Sequence, residues 1–286
     1  LAVSVRIPGS CGELVQGVID DMPFLVTCPI NRFARAEATI AASGMINPAK
    51  TKAQNALMKT RIKLGIEENI KVNLYSELLE GKGMSSSSAD IAAVCYATAR
   101  SCNKVIKDNE VAQIAADIEP TDGVFCQGIV KFNHINGKIL KYLGEPPPVK
   151  IIIFDCGGSV DTILFNQRNE LPVLNRQKEK MVRQAFSLVE YGIEYNDVKA
   201  LGQGCTLSAL ANQDILYKPQ LEEIWSIVQS YGAVGINIAH SGTLIGVIFP
   251  IDSEKDKLNS CIDKVKKNCQ EIKFLGISQL ISGGCF

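Results

Sequence analysis

Glu80-Gly81-Lys82-Gly83-Met84-Ser85-Ser86-Ser87-Ser88-Ala89-Asp90 is the most informative stretch of the 286-residue chain. Glycine and serine run straight into an alanine-rich segment, Ala89 to Arg100, whose composition predicts a helix packed closely against its neighbours. Such a loop presents backbone N–H groups at the positive end of a helix dipole, which makes it a ready site for phosphate. Glycines let a ligand approach the main chain, and hydroxyls can bond phosphate oxygens or ligate Mg²⁺. Taken alone, the run reads equally well as a flexible loop capped by serine. It lacks the GxxxxGK[ST] pattern, so it is not a P-loop.

Outward from this loop the chain reads as mixed α and β. Leu1 to Ile7 alternates like a strand that stops at Pro8-Gly9, and Phe24 to Ala38 holds two extended stretches around Cys28-Pro29. Ala49 to Leu64 reads as a helix and Lys71 to Tyr75 as a short strand. Val111, Ile114, Ala115 and Ile118 share one helical face, with Asp108 or Asn109 as cap and Pro120 as stop. Pro146-Pro147-Pro148 is the only proline cluster and marks a domain boundary, giving an N-terminal domain of residues 1–147 and a C-terminal domain of 148–286. The second half restarts with a buried strand, Val149 to Phe154, followed by helices over Arg176 to Tyr191, Asp197 to Asn212 and Pro219 to Tyr231. Strands Val234 to Ala239 and Thr243 to Phe249 come next, then a helix near Ser253 to Asn268 and a last strand within Ile272 to Ile281.

Composition narrows the function classes. Apolar residues make up 46% and charged residues 21%, enough apolar material for a real core. Thirty basic residues balance thirty acidic ones, so no broad field draws the chain to nucleic acid or to an anionic membrane. The longest apolar runs, such as Ile151 to Phe154, fall far short of the ~20 residues of a membrane span. There is no CxxC pair among ten cysteines, and the only histidines are His134 and His240, which argues against a zinc site. Cysteines set within apolar runs read as buried free thiols, and hence a cytoplasmic protein.

Three segments outside the loop carry further chemistry. Glu119 and Asp122 are two carboxylates around Pro120, a pattern that alone is more often a solvated helix end. Pro8-Gly9-Ser10-Cys11-Gly12-Glu13-Leu14-Val15-Gln16-Gly17 reads as a turn, in which Glu13 and Gln16 flanked by glycines are unusual. Cys11 has no histidine nearby and reads as a packing residue. His240-Ser241-Gly242 reads as a hairpin turn, and Gly157-Gly158-Ser159-Val160-Asp161-Thr162 as a turn or another pocket loop.

Gly83 to Ala89 resembles the GLGSSAA loop of the GHMP kinases (galactokinase, homoserine kinase, mevalonate kinase, phosphomevalonate kinase). PGSCGELVQG stands at the family's first motif and Ala239-His240-Ser241-Gly242-Thr243 at its glycine-rich third, in the same order. The resemblance implies a two-domain α+β fold, with an N-terminal domain like ribosomal S5 domain 2, a ferredoxin-like C-terminal domain and the site in the cleft between. It implies ATP and Mg²⁺ as cofactors. Gly81, Lys82, Gly83, Met84, Ser85, Ser86, Ser87 and Ser88 would bind the nucleotide, Ser87 and Glu119 the metal, and Asp122 would take the acceptor's proton. Ser10, Cys11, Glu13, Gln16, His240, Ser241, Gly242 and Thr243 would line the acceptor pocket. Ser85 departs from the family where many members have a second glycine. The first motif lacks a lysine, which leaves Arg6 or Lys82 as a cationic partner for the base.

Within the family the likeness is to the L-threonine kinases of cobalamin synthesis and propanediol utilisation. It rests on PGSCGELVQG, Cys28-Pro29-Ile30, GKGMSSSSADIAA, Glu119-Pro120-Thr121-Asp122, Gly204-Cys205-Thr206-Leu207-Ser208-Ala209 with Asn212-Gln213, and HSGT. The implied reaction converts ATP and L-threonine to ADP and O-phospho-L-threonine. The implied partners are ATP and a small hydroxy amino acid, and a homodimer is left open. The alternatives are another small-alcohol kinase such as a homoserine kinase, or a ligand-binding protein of the same fold without catalysis.

Overall fold

The computed structural model of the chain describes residues 2–158, 160 and 167–286. Two long strands, β1 (Val3–Ile19) and β2 (Met22–Ile40), form an antiparallel hairpin. They turn at Asp20-Asp21, both at positive φ (52° and 57°), as a two-residue hairpin that matches strand twist requires. Pro8-Gly9 does not end the first strand as expected, nor does Cys28-Pro29 split the second. β1 absorbs its proline in register shifts at Pro8/Gly9, Ser10/Glu13 and Glu13/Val15. A proline at a bulge has no ladder hydrogen bond to lose.

The rest of the N-terminal half is β3 (Met45–Asn47), α1 (Thr51–Leu64), β4 (Ile70–Ser76), α2 (Ser86–Ser101), α3 (Asp108–Ala116), β5 (Ile129–Asn133) and β6 (Lys138–Gly144). The alanines of α2 let it lie against β1 and β2 with almost every side chain buried. Lys107, not Asp108 or Asn109, caps α3: its N–H donates to the Glu110 carboxylate (3.0 Å). Asp108 instead accepts from the Tyr96 hydroxyl at 2.6 Å.

The C-terminal half is β7 (Val149–Asp155), α4 (Leu171–Glu194), α5 (Val198–Ala211), α6 (Leu221–Gln229), β8 (Gly235–Ile238), β9 (Leu244–Pro250), α7 (Lys255–Asn268) and β10 (Lys273–Gln279). α6 begins beyond Pro219, with Gln220 as its cap, because the Gln213 side chain first ties both backbone groups of Lys218 into a turn. Among the described residues the strands make one sheet in the order β10-β7-β9-β8-β1-β2-β4-β3, with β5 and β6 branching from β2.

The chain thus has a two-domain α+β architecture whose halves meet where β1 pairs with β8, at Glu13 opposite Ile238. β1, β2, α1 and α2 enclose the larger core; Ile152, Phe154, Val247 and Phe249 pack with α6 and α7 in the smaller one. The last residues return to the N-terminal half. Arg6 and Phe286 exchange backbone hydrogen bonds (2.8 and 2.9 Å), and the Gly283 N–H donates to the Gly128 carbonyl (3.1 Å). No helix among the described residues is long and apolar enough to cross a membrane.

Candidate active site

The serine-rich loop does run into the first turn of α2. Ser85, its N-cap, sits at φ 53°, left-handed backbone that costs a non-glycine residue roughly 1 kcal/mol. It is held there by a hydrogen bond between its hydroxyl and that of Ser10 at 2.6 Å. The opening N–H groups of α2, at Ser86 to Ser88, have no partner within the helix and face an open cleft of about 620 Å³. The third motif braces the loop from behind: Thr243 N–H donates to the Lys82 carbonyl (2.9 Å). That approach is so close that a Cβ on Gly242 would meet the Lys82 carbonyl oxygen at 2.4 Å.

Ser87 and Glu119 border the same cleft. The Ser87 hydroxyl makes no hydrogen bond among the described residues. Glu119 is 8% exposed; its Oε2 accepts from Lys52 Nζ (2.6 Å), while its buried Oε1 has no partner among the described residues. A free hydroxyl and an orphaned carboxylate oxygen beside the open first turn of α2 suit a hard divalent cation that takes its other ligands from outside the protein. Ser88 acts differently. Its hydroxyl accepts from Thr121 Oγ1 and from the Asp122 N–H, both at 3.0 Å, which pins Asp122 beside the loop. Burial, and then the charge of Glu13, push the Asp122 carboxyl up to about 7 against the Ser85 hydroxyl, which favours the ionised form.

Glu13 enters the cleft from the bulge in β1. Gly12 makes that bulge possible: it sits at φ +58°, and a Cβ there would stand 2.3 Å from the Ile238 carbonyl oxygen. Glu13 Oε2 accepts from the His240 N–H (2.8 Å) and lies 2.9 Å from His240 Nδ1. Burial, and then repulsion from Lys178 and Lys218, hold the His240 pKa well below its ordinary value, so the ring is neutral. Nδ1 is then the donor to Glu13, and Nε2 accepts from Ser208 Oγ at 3.0 Å. Gln16 N–H donates to the same hydroxyl (3.3 Å). Burial raises the Glu13 carboxyl to about 7, with Lys218 and Lys178 opposing the rise.

On the other side of the His240-Ser241 turn lies a second cavity of about 330 Å³, which Gln16 and His240 line. The structure therefore brings Glu13, the loop, Glu119, Asp122 and Ser241 together around one cleft and puts Gln16 and His240 on its neighbour. The remaining candidates lie behind these walls. Cys11 is fully buried in the core, its thiol pushed up to about 12 by burial. The Thr243 hydroxyl donates to Asp155 (2.6 Å), and Lys82 Nζ pairs with Asp155 (2.8 Å) and donates to the Gly158 carbonyl (2.6 Å). Neither cation suggested as a partner for the base takes that place, since Arg6 lies over the Phe33 ring. Of the glycine turn after β7, Val160 lines the cleft; Ser159, Asp161 and Thr162 lie outside the described residues.

Lys52, Lys178 and Lys218 escaped the sequence reading. Lys218 is buried and donates to the Gly242 carbonyl at 2.9 Å, so a lysine holds the third motif from below. The Gln213–Lys218 spacing beside the quoted Asn212-Gln213 pair was the available signal.

The family models described as GHMP kinases N terminal domain and GHMP kinases C terminal match residues 50–128 and 186–271. L-threonine kinase of Salmonella typhimurium is 31% identical over 252 residues, covering 85% of this chain and 81% of the relative. L-threonine kinase of Citrobacter freundii is 27% identical over 246 residues, covering 85% of each. Among solved structures, homoserine kinase from Cytophaga hutchinsonii superposes with a TM-score of 0.74 at 15% identity, covering 100% of this chain and 96% of that one. Mevalonate kinase from Methanococcus jannaschii gives 0.72 at 15%, covering 98% of each. These structures share the fold.

Proposed function

The chain belongs to the GHMP kinase family and is an ATP-dependent phosphotransferase acting on a small hydroxy substrate; on that premise we propose that it phosphorylates the side-chain hydroxyl of L-threonine. The product would be O-phospho-L-threonine, the form required for cobalamin synthesis. The observation that carries this reading is Glu13, a buried carboxylate clamped by His240 at the wall of the cleft that also holds Asp122. A carboxylate so fixed suits an α-ammonium group; an acidic alcohol such as mevalonate would set its own charge against it. The likeness to two L-threonine kinases supports the same acceptor. We place the boundary between the domains at residues 147/148, where β6 of one half has ended and β7 of the other begins.

Each group then has a task. The N–H groups of Ser86 to Ser88 hold phosphate oxygens, and their fixed dipoles need no rearrangement as charge develops. Ser87 and Glu119 would hold Mg²⁺, which when bound neutralises phosphate charge. Asp122, pinned by Ser88, orients the acceptor hydroxyl and takes its proton. Glu13 fixes the amino acid so that the hydroxyl faces the phosphoryl group. Threonine carries that oxygen on the β-carbon and homoserine on the γ-carbon, a shift of ~1.5 Å that misaligns attack and costs on the order of 10²-fold. Comparing kcat/KM for threonine, serine and homoserine at one ATP concentration tests the assignment. Threonine should lead, with serine weaker by the ~1–3 kcal/mol of a methyl group. Homoserine leading would reassign the acceptor, and no turnover of any amino acid would remove the substrate class.

A further inference from the structure

We propose that Lys178, in the cavity beside the cleft, is the counter-ion for the acceptor's carboxylate. This deepens the reading of the acceptor as a hydroxy amino acid and rests on it.

Lys178 projects from α4 and is only 7% exposed. Its ammonium has three N–H donors, and among the described residues it makes one hydrogen bond, to Asn212 Oδ1 at 3.0 Å. No carboxylate of the described residues lies within ion-pair distance of it. A buried ammonium with one neutral partner is an incomplete arrangement. Burial accordingly lowers its pKa to about 8, with the more distant charge of Glu13 opposing the fall.

The surroundings indicate what completes it. The cavity of about 330 Å³ meets the cleft at the His240-Ser241 turn, so it would receive the carboxylate end of an acceptor whose ammonium and hydroxyl lie in the cleft. His134 lines it with a buried Nδ1 that has no partner among the described residues. Arg176 also lines it, while Arg168 is already paired with Glu170 (2.7 Å), so Lys178 is the buried cation that an anion there would meet. The ammonium is held in place rather than merely enclosed. Asn212 Nδ2 donates to the His240 carbonyl (3.4 Å), which turns Oδ1 toward Lys178, and the same His240 clamps Glu13. One hydrogen-bonded chain therefore fixes a cation on one side of the His240 turn and an anion on the other. A zwitterionic α-amino acid matches both; a sugar or a simple alcohol would leave Lys178 unpaired.

The test compares L-threonine with L-threonine amide, which keeps the ammonium and the hydroxyl but has no carboxylate. The wild-type enzyme should prefer threonine on the order of 10²-fold in kcat/KM. Lys178→Met should abolish that preference through a KM for threonine raised about 100-fold, with KM for ATP and the melting temperature close to wild type. Lys178→Gln keeps an N–H donor for Asn212 Oδ1 but carries no charge. It should likewise abolish the preference for threonine over its amide, and it decides the matter if Lys178→Met does not fold. Retention of the preference for threonine over its amide in the folded variants, or its absence in wild type, overturns the assignment of Lys178 while leaving a threonine kinase intact. Failure of wild type to use any amino acid, with turnover of an uncharged alcohol instead, overturns the acceptor reading and this assignment together.

Discussion

Asp122 stands among groups that oppose its charge, with burial and then Glu13 raising its carboxyl to about 7. Asp122 and Glu13 both act only when ionised and both are raised to about 7, so kcat/KM should rise with pH near 7, and Asp122→Asn should leave the limb that Glu13 alone sets. The same variant should lower kcat roughly 10²-fold while ATP affinity changes little. Its effect on stability has the opposite sign. A carboxyl raised by folding contributes stability that is full below its unfolded value, near 4, and is lost as pH rises through about 7. Asp122→Asn should therefore melt roughly 2–4 °C above wild type at pH 8, with the gap closing toward pH 5, as calorimetry would show. Ser87→Ala should raise KM for MgATP and reduce turnover together; wild-type kinetics would exclude Ser87 from the site. Legibility was uneven at this scale. Glu119 and Asp122 could be found because they follow the loop in the order the family's motifs set. Lys178 could not, because a lysine in an amphipathic helix reads as part of a solvated face and is buried here by the packing of α4 on α5 and β1.

The bulge in β1 shows the same limit for elements. Pro8-Gly9 read as a stop, yet β1 runs on to Ile19, because register shifts let it pass a proline and turn Glu13 toward the cleft. Gly12→Ala would add both left-handed strain and a Cβ at 2.3 Å from the Ile238 carbonyl oxygen. It should cost about 3 kcal/mol in urea unfolding. A loss under 1 kcal/mol would mean that β1 and β8 can separate at little cost. Helices were readable to within a few residues wherever an apolar face repeated. The β5–β6 hairpin was missed although Asn136-Gly137, a strong hairpin signal, lies at its turn. Its strands are short, and β6 is largely solvent-facing, so the alternation there is weak.

Across the whole molecule, fold class was legible because three motifs kept their order over nearly the full chain, whereas the joining of both halves into one sheet was not, since it depends on one residue pair, Glu13 with Ile238. The loop from one half is braced by the third motif from the other, so nucleotide bound to the loop should stabilise both. MgATP at about 100 times its Kd adds about 2.7 kcal/mol and should move a single melting transition upward by roughly 5 °C. Two transitions, of which one ignores MgATP, would show that the halves melt independently. The returning tail has a consequence for biosynthesis. Gly128 and Arg6 receive their partners only once translation has reached Gly283 and Phe286. At ribosomal speeds of about 5–20 residues per second, the nascent N-terminal half waits on the order of 10–30 s with those backbone groups open. A chaperone that shields exposed strand edges would find its client during that interval, before Gly283 and Phe286 close the seam.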